Sequence, residues 1–131
     1  MDDEALMAAA AKMRATAYAP YSGFSVGAAI RDASGAIHLG CNVENAAYPQ
    51  GQCAEATAIG AMVAAGGRRI AAIAVARPDG VLCAPCGGCR QRIREFAGPD
   101  TMVLIGDGTG ILARHPFHDL LPASFGPETL S

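Results

Sequence analysis

The chain has 131 residues, a usual size for one domain, and 51% of them are hydrophobic. Its formal net charge is −2 without a basic stripe, and no apolar run is long enough to cross a membrane. The N-terminal segment begins with acidic residues and lacks the continuous apolar stretch of a secretory signal. We therefore expect one cytoplasmic domain over residues 1–131 that binds neither nucleic acid nor membranes.

Apolar periodicity predicts helices that alternate with strands along the chain. The predicted elements are a helix over 3–17 with Asp2 or Asp3 as its N-cap, a β-hairpin over 24–44 that turns at 32–35, a helix over 53–67, a buried strand over 69–78, a helix over 87–98, strands over 101–106 and 111–115, and a short helical turn and tail over 116–125. Helices that alternate with buried strands pack as an α/β layered domain.

Five cysteines in a cytoplasmic chain favour a metal site or catalysis over disulfides, because thiols stay reduced in that compartment. Cys53 opens one predicted helix, and Cys86 and Cys89 lie where a loop gives way to another. Helix N-termini stabilise thiolates, and three thiolates can hold a zinc ion whose fourth position stays open to water. Cys83 forms an overlapping Cys-x-x-Cys pair with Cys86 and is the alternative ligand, although no helix begins behind it.

Glu55 follows Cys53 by two residues, on the first turn of the same predicted helix. A carboxylate beside a metal-activated water can take a proton and return it elsewhere, whereas a structural zinc site has no use for one. Cys-Ala-Glu followed by Pro-Cys-Gly-Gly-Cys is the pattern of the zinc deaminases. The alternative is a non-catalytic module stabilised by zinc, which leaves Glu55 without a role.

Four blocks of sequence in the same order resemble the small, homotetrameric cytidine deaminases. They are YAPYSGFSVGAAI (18–30), GCNVENAAYPQGQCAEATAI (40–59), PCGGCRQRIREF (85–96) and LLPASFGP (120–127). The resemblance implies an α/β/α layered fold with a central mixed sheet of about five strands. It also implies zinc-dependent hydrolysis of cytidine and deoxycytidine to uridine and deoxyuridine plus ammonia, in pyrimidine salvage.

The resemblance assigns a role to each matching residue around the zinc and the nucleoside. The implied zinc ligands are Cys53, Cys86 and Cys89, and the implied proton shuttle is Glu55. The positions implied to bind substrate are Asn42 and Glu44 at the ribose hydroxyls, Phe24 against the nucleoside and the backbone of Ala54 at the pyrimidine carbonyl.

Two aromatic residues, Tyr48 and Phe125, are similar to family residues that enter the active site of a neighbouring subunit. The resemblance therefore implies a homotetramer whose sites are shared between subunits and whose substrate is a small-molecule nucleoside. A polynucleotide substrate is disfavoured, because the chain is slightly acidic and poor in the aromatic residues on which bases stack.

Ala56 is a departure from the family pattern, since many members have arginine at this position. Three thiolates leave a zinc centre with one excess negative charge, which nearby cations relieve. We expect Arg90, directly after Cys89, to supply most of this compensation, while Arg92 and Arg94 are solvated. The same departure keeps open a second substrate class, another aminopyrimidine nucleoside such as a nucleoside antibiotic.

Overall fold

The computed structural model describes residues 1–130 and contains five strands and four α-helices within them. In chain order these are α1 (Asp3–Met13), β1 (Gly27–Asp32), β2 (Ile37–Cys41), α2 (Ala54–Ala64), β3 (Ile70–Ala76), α3 (Gly87–Phe96), β4 (Ala97–Asp107), β5 (Gly110–Pro116) and α4 (Phe117–Leu120). None of the helices in this range combines the length and the apolar run that crossing a bilayer requires.

The five strands form one sheet in the order β2-β1-β3-β4-β5. Only the central β3 and β4 run parallel, and every other neighbouring pair is antiparallel. The predicted hairpin is β1 and β2, and the predicted mixed sheet of about five strands is confirmed.

Helices cover both faces of this sheet, because successive side chains of each strand point to opposite sides. Alanines and a leucine of β1, β3 and β4 pack against α1. The larger Ile and Val side chains of the same strands pack against α2 and α3. The α/β/α layering is therefore also confirmed.

Gly40 on β2 allows α2 to lie directly on the sheet. A Cβ at this position would stand 2.4 Å from the backbone nitrogen of Ala58 and 2.6 Å from the carbonyl oxygen of Ala54. The start of α2 is therefore fixed relative to the sheet by a contact that only glycine permits.

The turn between β1 and β2 is organised by one carboxylate. Asp32 accepts hydrogen bonds from the backbone and hydroxyl of Ser34 and from the backbone of Ala36, at 2.6–3.1 Å. Its second oxygen lies 2.7 Å from Nε2 of the buried His38. These bonds lower the pKa of Asp32, with the contact to His38 as the largest cause.

Most element boundaries differ from the prediction by up to three residues, and the end of α1 and the start of β4 differ by four. Helix α1, predicted to reach residue 17, ends at Met13 and continues as a 3-10 turn over Arg14–Thr16. The chain leaves the helix because the backbone of Tyr18 bonds to Asn42 and Glu44, at 3.0 and 2.8 Å. Strand β4, predicted over 101–106, already begins at residue 97, directly after α3. The N-cap is Asp2, which accepts from Ala5 at 2.8 Å.

Candidate active site

The site lies where α2 and α3 begin, on the same side of the sheet. Cys53 is the N-cap of α2 and Cys86 is the N-cap of α3, and both have extended backbone conformations. Neither side chain caps its helix with a hydrogen bond. Both sulfurs are thus free to contact a common centre, beside helix ends that favour negative charge.

The sulfurs of Cys53, Cys86 and Cys89 lie within 4.8 Å of one another. Tetrahedral zinc, with Zn–S bonds of about 2.3 Å, separates its sulfur ligands by about 3.8 Å. The three thiols therefore suit this ion with little movement. Cys83, the alternative ligand, is exposed outside this group, and its thiol points to the carbonyl of Ala84 at 3.4 Å.

The pKa shifts of Cys53 and Cys89 show how closely these two thiols approach each other. A hydrogen bond from Cys89 lowers the pKa of Cys53 to about 6. The pKa of Cys89 is raised by the same contact with Cys53 and by burial. Opposite shifts mean that one sulfur becomes a thiolate while its neighbour keeps the proton. A soft divalent cation replaces such shared protons, and sulfur-rich donor sets of this kind suit zinc.

Glu55 lies on the first turn of α2, and only 2% of its surface is exposed. Its Oε2 stands 3.8 Å from Nη2 of Arg77, which is also buried. Both residues line the same cavity as Cys53 and Cys86. The carboxylate therefore faces the thiol cluster's cavity and not bulk water.

The cavity has a volume of about 290 Å³, close to the lower end of the range for small-molecule sites. It is lined by Ser22, Phe24, Val26, Asn42, Glu44, Cys53, Ala54, Glu55, Arg77 and Cys86. The polar residues and two of the thiols thus share one cavity, although they come from the loops before and after the β1–β2 hairpin, from the start of α2, from the end of β3 and from the start of α3.

Asn42 and Glu44 are held in fixed orientations by backbone groups. Asn42 accepts from the backbone of Val26 at 2.9 Å and donates to the carbonyl of Phe24 at 2.8 Å. Glu44 accepts from the backbone of Tyr21 at 2.9 Å and from the backbone and hydroxyl of Ser22. The hydroxyl of Ser22 is the largest cause of the lowered pKa of Glu44, which is therefore ionised at neutral pH. Both side chains keep hydrogen-bonding capacity towards the cavity.

Tyr48 and Phe125 do not line this cavity in the single chain. Their exposed fractions are 75% and 57%. The ring of Tyr48 makes an edge-on contact with Tyr21 at a centroid distance of 5.9 Å. Phe125 is fixed through its carbonyl, which accepts from Gln91 at 3.0 Å.

The arginines of α3 are arranged differently from the prediction. Arg90 donates to two backbone carbonyls, those of Pro85 and Leu120, at 2.8 Å each. Nη1 of Arg92 lies 3.9 Å from the sulfur of Cys89. The reason is helical spacing, since a residue three positions after Cys89 shares its face and the next residue does not.

Arg94, which the sequence predicts to be solvated, is instead held by side chains of the C-terminal segment. Its Nε donates to the hydroxyl of Ser124 at 2.8 Å, and it forms an ion pair with Glu128. Arg94 therefore ties α3 to the C-terminal segment.

Three residues that line the cavity were not identified in the sequence: Ser22, Arg77 and the apolar Val26. Ser22 precedes Phe24 in a loop of small and aromatic residues, where a serine is unremarkable. Arg77 directly follows the apolar strand β3. A charged residue at the end of a buried strand is the one feature of the sequence that could have indicated a residue of the site.

Comparison with known proteins gives matches over nearly the whole chain. The family model described as the cytidine and deoxycytidylate deaminase zinc-binding region matches residues 1–105. The cytidine deaminase of Sporosarcina psychrophila is 42% identical over 131 residues, covering 100% of this chain and 96% of that protein. The cytidine deaminase of Mycobacterium tuberculosis is 38% identical over 126 residues, covering 92% of this chain and 87% of that protein.

A solved structure gives the same result in three dimensions. The crystal structure of cytidine deaminase from Burkholderia pseudomallei superimposes with a TM-score of 0.87 at 43% identity. The match covers 95% of this chain and 100% of that chain. Fold and sequence therefore point to the same group of proteins.

Proposed function

Because the chain belongs to the family of cytidine and deoxycytidylate deaminases with a zinc-binding region, we propose that it hydrolyses cytidine and deoxycytidine to uridine and deoxyuridine plus ammonia. One observation carries this proposal. Three thiols converge on one point, and two of them share a cavity with a buried carboxylate and an ordered polar rim of the kind that a sugar requires. We assign residues 1–131 to one catalytic domain.

Cys53, Cys86 and Cys89 are the residues that would hold the zinc ion. Bound zinc supplies the Lewis acidity that makes water a nucleophile near neutral pH. The buried Cys89 and the two N-cap cysteines would position the ion at the end of the cavity.

Glu55 moves the protons of the reaction. Water adds to C4 of the pyrimidine, so that a C–O bond forms while Glu55 carries one proton of that water to ring N3. Glu55 then carries the remaining hydroxyl proton to the amino group, the C4–N bond breaks and ammonia leaves. Water and the nucleoside account for all the atoms of the two products. The burial of Glu55 beside Cys53 supports this role.

The sugar is recognised at the rim of the cavity. Asn42 and Glu44 bind the ribose hydroxyls, and their fixed hydrogen bonds support this assignment. Phe24 lies against the flat base and the backbone of Ala54 faces the pyrimidine carbonyl. Because deoxyribose lacks only the 2′-hydroxyl, a site that reads the 3′-hydroxyl accepts both sugars. Arg90 acts as a positioning residue, since it holds the carbonyl of Pro85 next to Cys86.

The protein works as a homotetramer whose sites are shared between subunits. Tyr48 and Phe125 would each enter the cavity of a neighbouring copy, and their high exposure in the single chain supports this. Tyr48 also contacts the exposed Tyr21, and contiguous exposed apolar groups of this kind often mark interaction surfaces. The thiol ligands require a reducing compartment, so we place the enzyme in the cytoplasm, in pyrimidine salvage.

Release of ammonia from cytidine by protein of measured zinc content tests the function. The Glu55→Gln variant should keep its zinc and lose roughly 100- to 10,000-fold in kcat. Glu95→Gln, at an exposed position of α3, is the matched control and should behave as the wild type. Zinc binding without ammonia release by the wild type would instead indicate a non-catalytic module.

A substrate panel distinguishes the remaining alternatives. Cytidine and deoxycytidine should be turned over, and cytosine, dCMP and an oligonucleotide should not. A clear preference for another aminopyrimidine nucleoside over cytidine would favour the second substrate class. Ala56, in place of the arginine common in the family, is the reason to include such compounds.

A further inference from the structure

Arg77 is a buried cation in the wall of the cavity. It is the first residue after β3, and 8% of its surface is exposed. Its backbone nitrogen bonds to the carbonyl of Gly106 at 3.0 Å, which continues the pairing of β3 with β4. A buried guanidinium is retained only where its hydrogen bonds and its charge are matched, so its partners show what it does.

The guanidinium of Arg77 joins two parts of the site. Nε donates to the carbonyl of Cys83 at 2.8 Å and Nη2 to the carbonyl of Ala84 at 3.3 Å. The same Nη2 lies 3.8 Å from Oε2 of Glu55. The two carbonyls belong to the loop over 77–86, which ends at Cys86, whereas Glu55 belongs to α2. One rigid planar group therefore sets the position of the carboxylate relative to the loop that carries a thiol ligand.

The contact between Arg77 and Glu55 matters because the other charged groups around the cavity are negative. Three thiolates and one carboxylate exceed the charge of a divalent ion by two negative charges. Arg77 places one buried positive charge 3.8 Å from the carboxylate of Glu55. Without it, Glu55 would be repelled by the thiolates on its own helix start, at Cys53, and across the cavity, at Cys86.

We propose that Arg77 is a positioning residue that clamps Glu55 and the 77–86 loop together. This proposal rests on the proposed deaminase function for its effect on turnover, and on the thiol cluster alone for its effect on metal retention. Arg77 makes no contact with substrate in this scheme and acts through Glu55 and Cys86.

Three variants test the clamp. Arg77→Gln removes both the positive charge and the planar guanidinium that donates through Nε and Nη2. Arg77→Lys keeps the positive charge but cannot make both hydrogen bonds at once. Arg31→Gln is the matched control, because Arg31 also donates to a carbonyl, that of Met1, at 3.1 Å and also pairs with a carboxylate, that of Asp3, at 3.1 Å, and both partners lie outside the 77–86 loop. Far-UV circular dichroism and thermal midpoints identify any variant that fails to fold, and Arg77→Lys then carries the comparison.

For activity on cytidine, Arg77→Gln should lower kcat about 100-fold with little change in KM, because a misplaced catalytic group acts on the chemical step. Arg77→Lys should recover only part of this loss. In a Glu55→Gln background, Arg77→Gln should have little further effect on kcat. Two results would overturn the proposed clamp. One is a kcat of Arg77→Lys equal to that of the wild type, and the other is a kcat of the Glu55→Gln/Arg77→Gln double variant that shows the full loss of both single variants.

Metal retention gives a readout that does not depend on turnover. Cobalt(II)-loaded Arg77→Gln should release its metal to a chelator at least about tenfold faster than Arg31→Gln does, since Cys86 lies on a loop that is no longer held. Equal release rates would overturn the proposal. A wild type that binds metal but releases no ammonia would refute the deaminase function, and the release rates would still decide the clamp.

Discussion

Arg92 should strengthen metal binding through its contact with the sulfur of Cys89. Its Nη1 lies 3.9 Å from that sulfur. At this distance two unit charges attract by about 4 kcal/mol at an effective dielectric constant of about 20. Arg92 is an exposed residue, so solvent screens most of this attraction and leaves about 1 kcal/mol. We therefore expect Arg92→Met to weaken zinc binding about fivefold.

Competition with a coloured zinc chelator measures this affinity. The loss in Arg92→Met should be present at about 0.1 M salt and nearly absent at about 1 M, where the Debye length falls to about 3 Å. Arg90→Met is the matched control, because Arg90 donates to neutral carbonyls and its contribution should not depend on salt. An affinity of Arg92→Met equal to that of the wild type at low salt, or a loss unchanged by salt, would refute the electrostatic reasoning.

Three further predictions concern the fold and the assembly. Gly40→Ala should destabilise the protein by about 1–3 kcal/mol in urea unfolding, because the new methyl group overlaps the backbone of α2. Gly60→Ala, in open space on the same helix, should instead stabilise it by about 0.5–1 kcal/mol. The pKa of Asp32 is lowered in the folded state, so its contribution to stability is present above about pH 3.8 and is lost as the pH falls below that value. Asp32→Asn should therefore flatten the dependence of the thermal midpoint on pH in acid, and an unchanged dependence would contradict this assignment. Tyr48→Ala and Phe125→Ala should reduce activity at unchanged zinc content, and full activity in a species that sedimentation shows to be monomeric would exclude shared sites.

Local rules predict the two helix starts that carry the metal-binding thiols. Cys53 and Cys86 each follow a loop rich in glycine or proline and precede a helical pattern, and both are N-caps in the structure. The spacing of Cys89 within α3 then brings its sulfur to the same point. Short-range sequence information is sufficient here, because both ends of the site are defined by helix boundaries.

The arginines around the thiols depend on information of longer range. Adjacency in the sequence points to Arg90 as the neighbour of Cys89, but the helix turns about 100° between successive residues and brings Arg92 to the sulfur instead. Arg77 reaches Glu55 only because the loop after β3 folds back over the cavity. No periodicity in the sequence predicts that the loop after β3 folds over the cavity.

The two largest differences in element boundaries have the same origin. The residues after Met13 have helical propensity, yet Tyr18 is drawn into pairing with the segment that follows β2. Strand β4 begins early, at residue 97, where it pairs with Ile70 across an irregularity. In both cases, hydrogen bonds to a distant segment override the local preference.

The thiol cluster also connects distant parts of the polypeptide. Cys86 lies 33 positions after Cys53 in the chain, and all of α2 and β3 lies between them. An ion held by both would close this segment into a ring, and closing a ring of this length removes roughly 4 kcal/mol of chain entropy from the denatured state. Metal loading should thus act as a reversible cross-link, and a protease that cuts between β3 and α3 would distinguish the loaded from the stripped protein by the rate of cleavage.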